Sequence, residues 1–223
     1  MLLLAVDTSG KHGSIALARC GPDDACQVVE VAALLGGTFS AELVPRISGL
    51  LEKHGFGKAD IGAFAVVSGP GSFTGLRIGL AVIKAFAEVL AKPVAALSLL
   101  EGLASTSDAQ GRVLAVLEAG RNEVFVGEYE FDDTRTKLLG QRLFAGDEWL
   151  QGAEGAAIVT PNNNLAEVAR TKRFHVVEVE RPGSENAAKL GWRKIVRGET
   201  VSPEALEANY TGRSETELFV KGR

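Results

Sequence analysis

The sequence predicts an α/β protein made of two α/β subdomains, residues 1–104 and 105–223. The first observation is the length, because 223 residues suit one large domain or two small ones of roughly 100–150 residues each. The second is that short apolar, strand-like runs alternate with helical patterns along the chain. The third is a polar stretch at residues 105–112, which separates the two subdomains.

Composition limits the classes of function. Hydrophobic residues make up 46% of the chain and the formal net charge is −4. Affinity for a nucleic-acid backbone comes mainly from clustered Lys and Arg. Because the chain has no basic run, we expect that it does not bind RNA on its own. No apolar run reaches the ~18–20 residues of a membrane span, and the apolar N-terminus lacks the marks of a signal peptide. We expect a cytoplasmic protein with no membrane partner and two reduced cysteines, Cys20 and Cys26.

The first subdomain is predicted to open with three strands and a helix. Residues 2–7 are an apolar run that ends in a turn-forming cluster, and residues 14–19 alternate weakly as a return strand. Residues 27–34 supply the third strand. Residues 40–53 form the helix, because their apolar side chains recur at the i, i+3, i+4, i+7 spacing. That apolar face consists of Leu43, Val44, Ile47, Leu50 and Leu51.

A second predicted helix, residues 73–90, is unusually apolar. It follows a short strand at residues 64–68 and carries only three charged residues. A helix that is apolar around most of its circumference must be covered on more than one side. Gly71, Gly75 and Gly79 recur every fourth residue, and since glycine costs about 1 kcal/mol in a helix interior relative to alanine, the row has a packing reason. The covering surface is either the chain's own sheet or another subunit.

Strands and helices continue to alternate to the end of the chain. Further strands are predicted at residues 93–97, 113–117, 123–131, 138–144 and 176–179. Further helices are predicted at residues 99–104, 163–170 and 186–196. The tail, residues 202–223, is polar.

The glycine-rich turn before the second helix is a candidate anion site. Backbone N–H groups and the dipole at a helix N-terminus attract negative charge. The segment is neither a Walker A sequence nor GxGxxG, so a tight turn whose glycines serve geometry is the alternative. The aspartate after the first strand likewise either binds a ligand or caps its turn. The candidate nucleotide or phosphate ligands are Asp7, Thr8, Ser9, Gly69, Gly71 and Ser72.

The motifs of the first half resemble the TsaB (YeaZ-like) family. The resemblance rests on residues 4–9, on the run GPGSFTGLRIG at residues 69–79 with Val66 to Ser68 before it, and on residues 92–94 and 98–100. It continues more weakly through residues 116–127 and 203–210. The resemblance implies an actin-like/Hsp70-like fold of the ASKHA, ribonuclease H-like type.

The same resemblance implies a function in tRNA modification. Members of this family are non-catalytic scaffold or activator subunits that bind TsaD, with TsaE, to form N6-threonylcarbamoyladenosine at adenosine 37, and they touch tRNA only indirectly. They also pair with themselves, so a homodimer is the alternative assembly. The resemblance places the interface on the two apolar helices. Its predicted residues are Leu43, Val44, Ile47, Leu50, Leu51, Phe73, Gly75, Leu76, Gly79, Leu80 and Ile83.

Two departures matter, one from the catalytic relatives and one from TsaB sequences. TsaD carries an HxxxH metal pair where this chain has Leu99 and Leu103, so we expect no catalytic residue and no metal. Phe39 replaces a histidine expected in many TsaB sequences. An actin-like ATP-binding phosphotransferase or ATPase is the alternative, and an M22-type metalloendopeptidase (glycoprotease) lacks the ligands it needs. We expect no resident cofactor, with ATP, ADP or an adenylate at a shared interface as the alternative.

Overall fold

The computed structural model describes residues 1–22, 25–131 and 136–211. Its strands are β1 (Leu2–Asp7), β2 (Gly13–Cys20), β3 (Cys26–Leu34), β4 (Ile61–Gly69), β5 (Val94–Ser98), β6 (Gly111–Gly120), β7 (Glu123–Phe131), β8 (Thr136–Ala145), β9 (Ala157–Thr160) and β10 (His175–Glu178). Its α-helices are α1 (Phe39–Lys53), α2 (Phe73–Leu90), α3 (Leu99–Ala104), α4 (Asn163–Thr171) and α5 (Ser184–Val196). Two short 3₁₀ turns span Lys58–Asp60 and Glu148–Leu150.

The chain divides into two compact units. The first contains residues 1–99 and 182–209, and the second contains residues 100–181 and 210–211. The predicted division after residue 104 therefore needs a correction. Helix α5 and the segment that follows it return to the first unit, although the sequence assigned them to the second subdomain.

The first unit is a five-stranded mixed sheet in the order β3-β2-β1-β4-β5. Strands β1, β2 and β3 are antiparallel neighbours, whereas β4 and β5 run parallel to β1. The face that carries Leu4, Val6 and Phe64 packs against α1 and α2 in one apolar cluster. The large side chains of this face fill the space under two helices, as close packing of a core requires.

The opposite face of this sheet is rich in alanine and packs against α5. Ala5, Ala65 and Ala95 are fully buried there. A Cβ atom on Gly191 of α5 would collide with the Cβ of Ala65, so small side chains on both sides allow the helix to lie close to the sheet. The Trp192 indole also donates a 3.0 Å hydrogen bond to the carbonyl of Gly21. These contacts are the physical reason why α5 belongs to the first unit.

The second unit repeats the same topology. Its order is β8-β7-β6-β9-β10, with β6, β7 and β8 antiparallel and with β9 and β10 parallel to β6. Its core contains Leu114, Val126, Trp149 and Ile158. All the predicted strands and helices are found, and β9 is added. At four residues β9 was too short to show a periodicity in the sequence.

The two cysteines differ from the expectation of separate reduced thiols. Cys20 and Cys26 lie opposite each other where the β2–β3 hairpin closes, and the structure joins them in a disulfide. The register of the hairpin, which the cysteine spacing alone did not reveal, brings them together. Separately, no helix in the described part of the chain is long and apolar enough to cross a bilayer.

Candidate functional site at the glycine-rich turn and helices α1 and α2

The glycine-rich turn joins the end of β4 to the start of α2. Ser72 caps the helix, and its hydroxyl accepts a 3.2 Å hydrogen bond from the backbone N–H of Gly75. The N–H of Ser72 itself donates to the carbonyl of Ser9 at 2.7 Å. At least two of the N–H groups that make a helix N-terminus attractive to an anion therefore already have partners within the chain.

The glycine row faces the chain's own first turn. A Cβ atom on Gly71 would collide with the carbonyl oxygen of Ser9, and one on Gly75 would collide with the carbonyl oxygen of Thr8. A Cβ on Gly79 would collide with the hydroxyl of Thr8. Glycine at every fourth position thus lets the glycine-rich turn and the start of α2 lie directly against the turn that follows β1. Of the two alternatives for this row, the structure supports packing within the chain.

Asp7 is buried where β1 ends. Its Oδ1 accepts hydrogen bonds from the backbone N–H of Ser9 at 2.8 Å and from the Ser9 hydroxyl at 2.6 Å. This is the turn-capping arrangement that Asx side chains commonly make. The structure therefore brings Asp7, Thr8, Ser9, Gly71 and Ser72 together. Nucleotide or phosphate binding at this cluster stays a prediction.

A later part of the chain covers the turn at Gly69. The backbone N–H of Asn209 donates to the carbonyl of Ser68 at 2.7 Å, and a Cβ on Gly69, whose φ is +135°, would collide with the carbonyl of Asn209. Upstream, Val201 forms a β-bridge with Val94. Sequence reasoning missed this covering segment, because backbone contacts leave no side-chain pattern.

Most of the predicted interface residues lie in the core of the first unit. Leu43, Ile47, Leu50, Leu51, Gly75, Leu76, Gly79, Leu80 and Ile83 are all buried. Their assignment to a partner surface is therefore corrected: they form the inward faces of α1 and α2. Of the remaining two, Val44 is 40% exposed and Phe73 is half-buried under the guanidinium of Arg77, 3.9 Å from its ring.

The outward faces of the two helices combine exposed charged residues with small apolar ones. On α2, Ala81 and Ala85 are exposed and Val89 is 83% exposed. On α1, Val44 is accompanied by the exposed Pro45. The helices are neighbours in the fold, so these residues define an outer surface, which we call the α1–α2 face. The helical periodicity of the sequence could have indicated the α1–α2 face, because its residues occupy the positions between the buried ones.

Comparison with known proteins identifies the family. The family described as tRNA N6-adenosine threonylcarbamoyltransferase (TsaD) matches residues 35–185. The chain is 32% identical to the tRNA threonylcarbamoyladenosine biosynthesis protein TsaB of Escherichia coli K12, and the match covers 94% of each protein. The chain belongs to the TsaB branch of this family. The resemblance seen in the sequence motifs is thereby confirmed.

Other TsaB relatives agree with this assignment. The Bacillus subtilis TsaB is 33% identical over 132 residues, which are 59% of this chain and 56% of that protein. The solved structure of YeaZ from Pseudomonas aeruginosa is 25% identical, with a TM-score of 0.69 over 94% of this chain and 99% of that one. The predicted actin-like, ribonuclease H-like fold is confirmed.

Three positions at which the resemblance leads us to expect a different residue lie inside the protein. Leu99 and Leu103, at the places that the resemblance assigns to the TsaD histidines, are both buried on α3. Within the described ranges, no three His, Cys, Asp or Glu side chains are grouped as metal ligands. Phe39 is 5% exposed in the core, and a Cβ on Gly13 would come within 3.0 Å of its ring. Phe39 therefore fills the space beside β2.

Proposed function

We propose that this protein is a non-catalytic subunit in the biosynthesis of tRNA N6-threonylcarbamoyladenosine, and that it activates TsaD by binding it. Membership of the TsaB branch is the observation that carries this proposal. The resemblance adds TsaE as a further component and the modified adenosine 37 as the product. The tRNA would reach this chain only through the complex.

The α1–α2 face is the surface that we propose for the partner. An exposed valine with 83% of its surface in water, next to exposed alanines, gains free energy when another protein covers it. Small side chains also let a second helix approach closely. The same face would serve in a homodimer, so self-association and binding to TsaD would compete for it.

The charge of the chain favours an indirect role toward RNA. With 24 Lys and Arg against 28 Asp and Glu, the net charge is −4, and a phosphate backbone is bound chiefly through clustered cations. A partner would therefore supply most of the contact with tRNA. This division of labour agrees with a subunit that acts through protein contacts.

The packing of the turn after β1 supports a structural role for the glycine-rich segment, as opposed to phosphate binding. The Ser72 N–H is bonded to Ser9 and the Gly75 N–H to the Ser72 hydroxyl. A phosphate at the same place would have to displace these bonds beside the Asp7 carboxylate. We therefore expect no ATP binding by the chain alone, and calorimetry with ATP and magnesium checks this.

Reconstitution of the modification tests the proposal. The purified chain is mixed with TsaD and TsaE from the same organism, ATP, threonine, bicarbonate, unmodified tRNA and the enzyme that makes the threonylcarbamoyl-adenylate. We expect modified adenosine to form in the full mixture and to fall to background when this chain is omitted. Equal product without the chain would contradict the proposal.

A further inference from the structure

The second unit contains an open cleft of about 540 Å³ on one face of its sheet. Its apolar floor consists of the nearly buried Leu114 and Val126 and the half-buried Phe144, on the adjacent strands β6, β7 and β8. Trp149 of the second 3₁₀ turn forms part of its wall. The volume lies within the ~300–1,000 Å³ typical of small-molecule sites.

The cleft exists because the second unit lacks a helix that the first unit has. In the first unit, the connection from β3 to β4 contains the 15-residue helix α1, which covers β2 and β3. The equivalent connection, from β8 to β9, contains only the 3₁₀ turn Glu148–Leu150. The topology is otherwise repeated strand for strand. In the second unit, the side chains at the places that correspond to those beneath α1 therefore border an open space.

One pair of charges in the cleft is already satisfied. Arg112 Nε donates to Glu128 Oε1 at 2.6 Å. The same guanidinium donates to the carbonyls of Gly152 at 2.7 Å and Glu154 at 3.1 Å. Arg112 therefore holds the loop after the 3₁₀ turn in place, and the two charges of the pair cancel.

A second pair of opposite charges lines the cleft without partners. Arg142 and Glu148 are both exposed lining residues. Among residues 1–22, 25–131 and 136–211, neither forms an ion pair or a side-chain hydrogen bond. In addition, the Trp149 indole Nε1 is buried with no acceptor in that part of the chain, and an unsatisfied buried donor calls for an explanation.

We propose that this cleft binds an apolar α-amino acid. The carboxylate of the ligand would pair with Arg142, its ammonium group would pair with Glu148, and its side chain would lie on the floor of Leu114, Val126 and Phe144. One unpaired charge of each sign beside an apolar floor matches a zwitterion better than it matches a simple acid or amine. A charge-assisted hydrogen bond to guanidinium is among the stronger polar contacts.

Two features of the chain make ligand binding at the cleft measurable: its two tryptophans and a glycine in the cleft lining. The sequence has two tryptophans, Trp149 in the cleft and Trp192 in the first unit, so the indole N–H signals of a nitrogen-15 spectrum report the cleft and an internal control. The Trp192→Phe variant assigns them. Gly140 also lines the cleft, and a Cβ atom there meets nothing within 4 Å, so Gly140→Leu adds an apolar side chain to the cleft at a position with room for its Cβ.

The experiment titrates the whole chain with L-leucine, with 4-methylpentanoate, which lacks the amine, and with 3-methylbutylamine, which lacks the carboxylate. We expect L-leucine to move the Trp149 signal and to leave Trp192 in place. Each analogue should bind about tenfold or more weakly, because it loses one charged contact. No movement of Trp149 with L-leucine, or equal binding of leucine and either analogue, would overturn the proposal.

Variants locate the binding. Arg142→Gln and Glu148→Gln should each weaken leucine binding about tenfold, and Gly140→Leu should abolish it. Lys137→Gln, on the same strand as Arg142 but outside the lining, is the matched control and should bind normally. An unchanged Trp192 signal and melting temperature show that each variant is folded. Normal binding by Gly140→Leu would place the ligand elsewhere and contradict the proposal.

Discussion

The hydroxyl of Thr8 donates a buried 2.8 Å hydrogen bond to the carbonyl of Gly75, 67 residues later in the chain. This bond ties the turn after β1 to the first turns of α2. It requires the helix backbone to lie directly on the turn, and glycine is the residue that permits that approach. The most distinctive segment of the sequence is therefore explained first by packing within the chain.

Adding a methyl group to this helix tests the packing. Gly75→Ala should lower the free energy of unfolding by about 1–3 kcal/mol, as overpacking typically does, because the new Cβ meets the Thr8 carbonyl. Gly49→Ala in α1 is the matched control, since a Cβ there meets nothing within 4 Å. The control should gain up to about 1 kcal/mol from helix propensity. Urea unfolding measures both, and a stabilised Gly75→Ala would contradict the packing.

The attachment of α5 to the first unit gives a second prediction. Gly191→Ala should destabilise the protein by about 1–3 kcal/mol, because its Cβ collides with that of Ala65. Ala65→Gly should relieve that collision, so the double variant should lose less stability than the two single variants added together. A double-mutant cycle by thermal unfolding measures the coupling. Strict additivity would argue that the two residues are not in contact.

The exposed ion pair between β3 and α1 gives a pH prediction. Lys53 Nζ lies 2.7 Å and His54 Nε2 lies 2.8 Å from the Glu30 carboxylate. The hydrogen bonds from Lys53, and next from His54, lower the pKa of Glu30 below its ordinary 4.5. A carboxylate with a lowered folded pKa contributes stability that is present above its unfolded pKa and is lost as the pH falls through the folded value.

Comparison with Glu30→Gln measures that contribution. The wild-type protein should unfold at a higher urea concentration than the variant at pH 7, and the difference should shrink as the pH falls below 4.5. Glu52→Gln, an exposed change next to Lys53 on α1, is the control. It should show a smaller difference from the wild-type protein at every pH. A wild-type advantage that grows on acidification would reverse the expected sign.

The elements of the fold could be predicted from local patterns. The apolar run that forms β1 and the 3.6-residue spacing in α1 and α2 are properties of neighbouring residues, and the structure contains these elements within one or two residues of the predicted bounds. Helix α5 was also predicted as a helix. Its place in the fold was not, because the alanine face that receives it is assembled from several strands.

The residues of the candidate site could be predicted from the sequence, but the surface that they face could not. A glycine row that packs on Thr8 and a glycine row that packs on another subunit have the same sequence pattern. The choice depends on which face of α2 meets the sheet, and this is settled by Leu76, Leu80 and Ile83, whose side chains are buried with the row. The cleft of the second unit was also missed, because it arises from a helix that is absent from one of two equivalent connections.

Association with TsaD from the same organism tests the central claim most directly. The chain and TsaD are mixed and passed through a size-exclusion column, and their affinity is measured by calorimetry. Val89→Arg, on the α1–α2 face, is compared with Val196→Arg, which places the same charge on an exposed valine at the end of α5, on the other side of the sheet. Melting temperatures confirm that both variants fold.

We predict one complex for the wild-type chain and for Val196→Arg. Val89→Arg should bind at least tenfold more weakly, because a charge buried in an interface without a partner is costly. Separate elution of the wild-type chain and TsaD would contradict the proposed function, and normal binding by Val89→Arg would contradict the proposed surface.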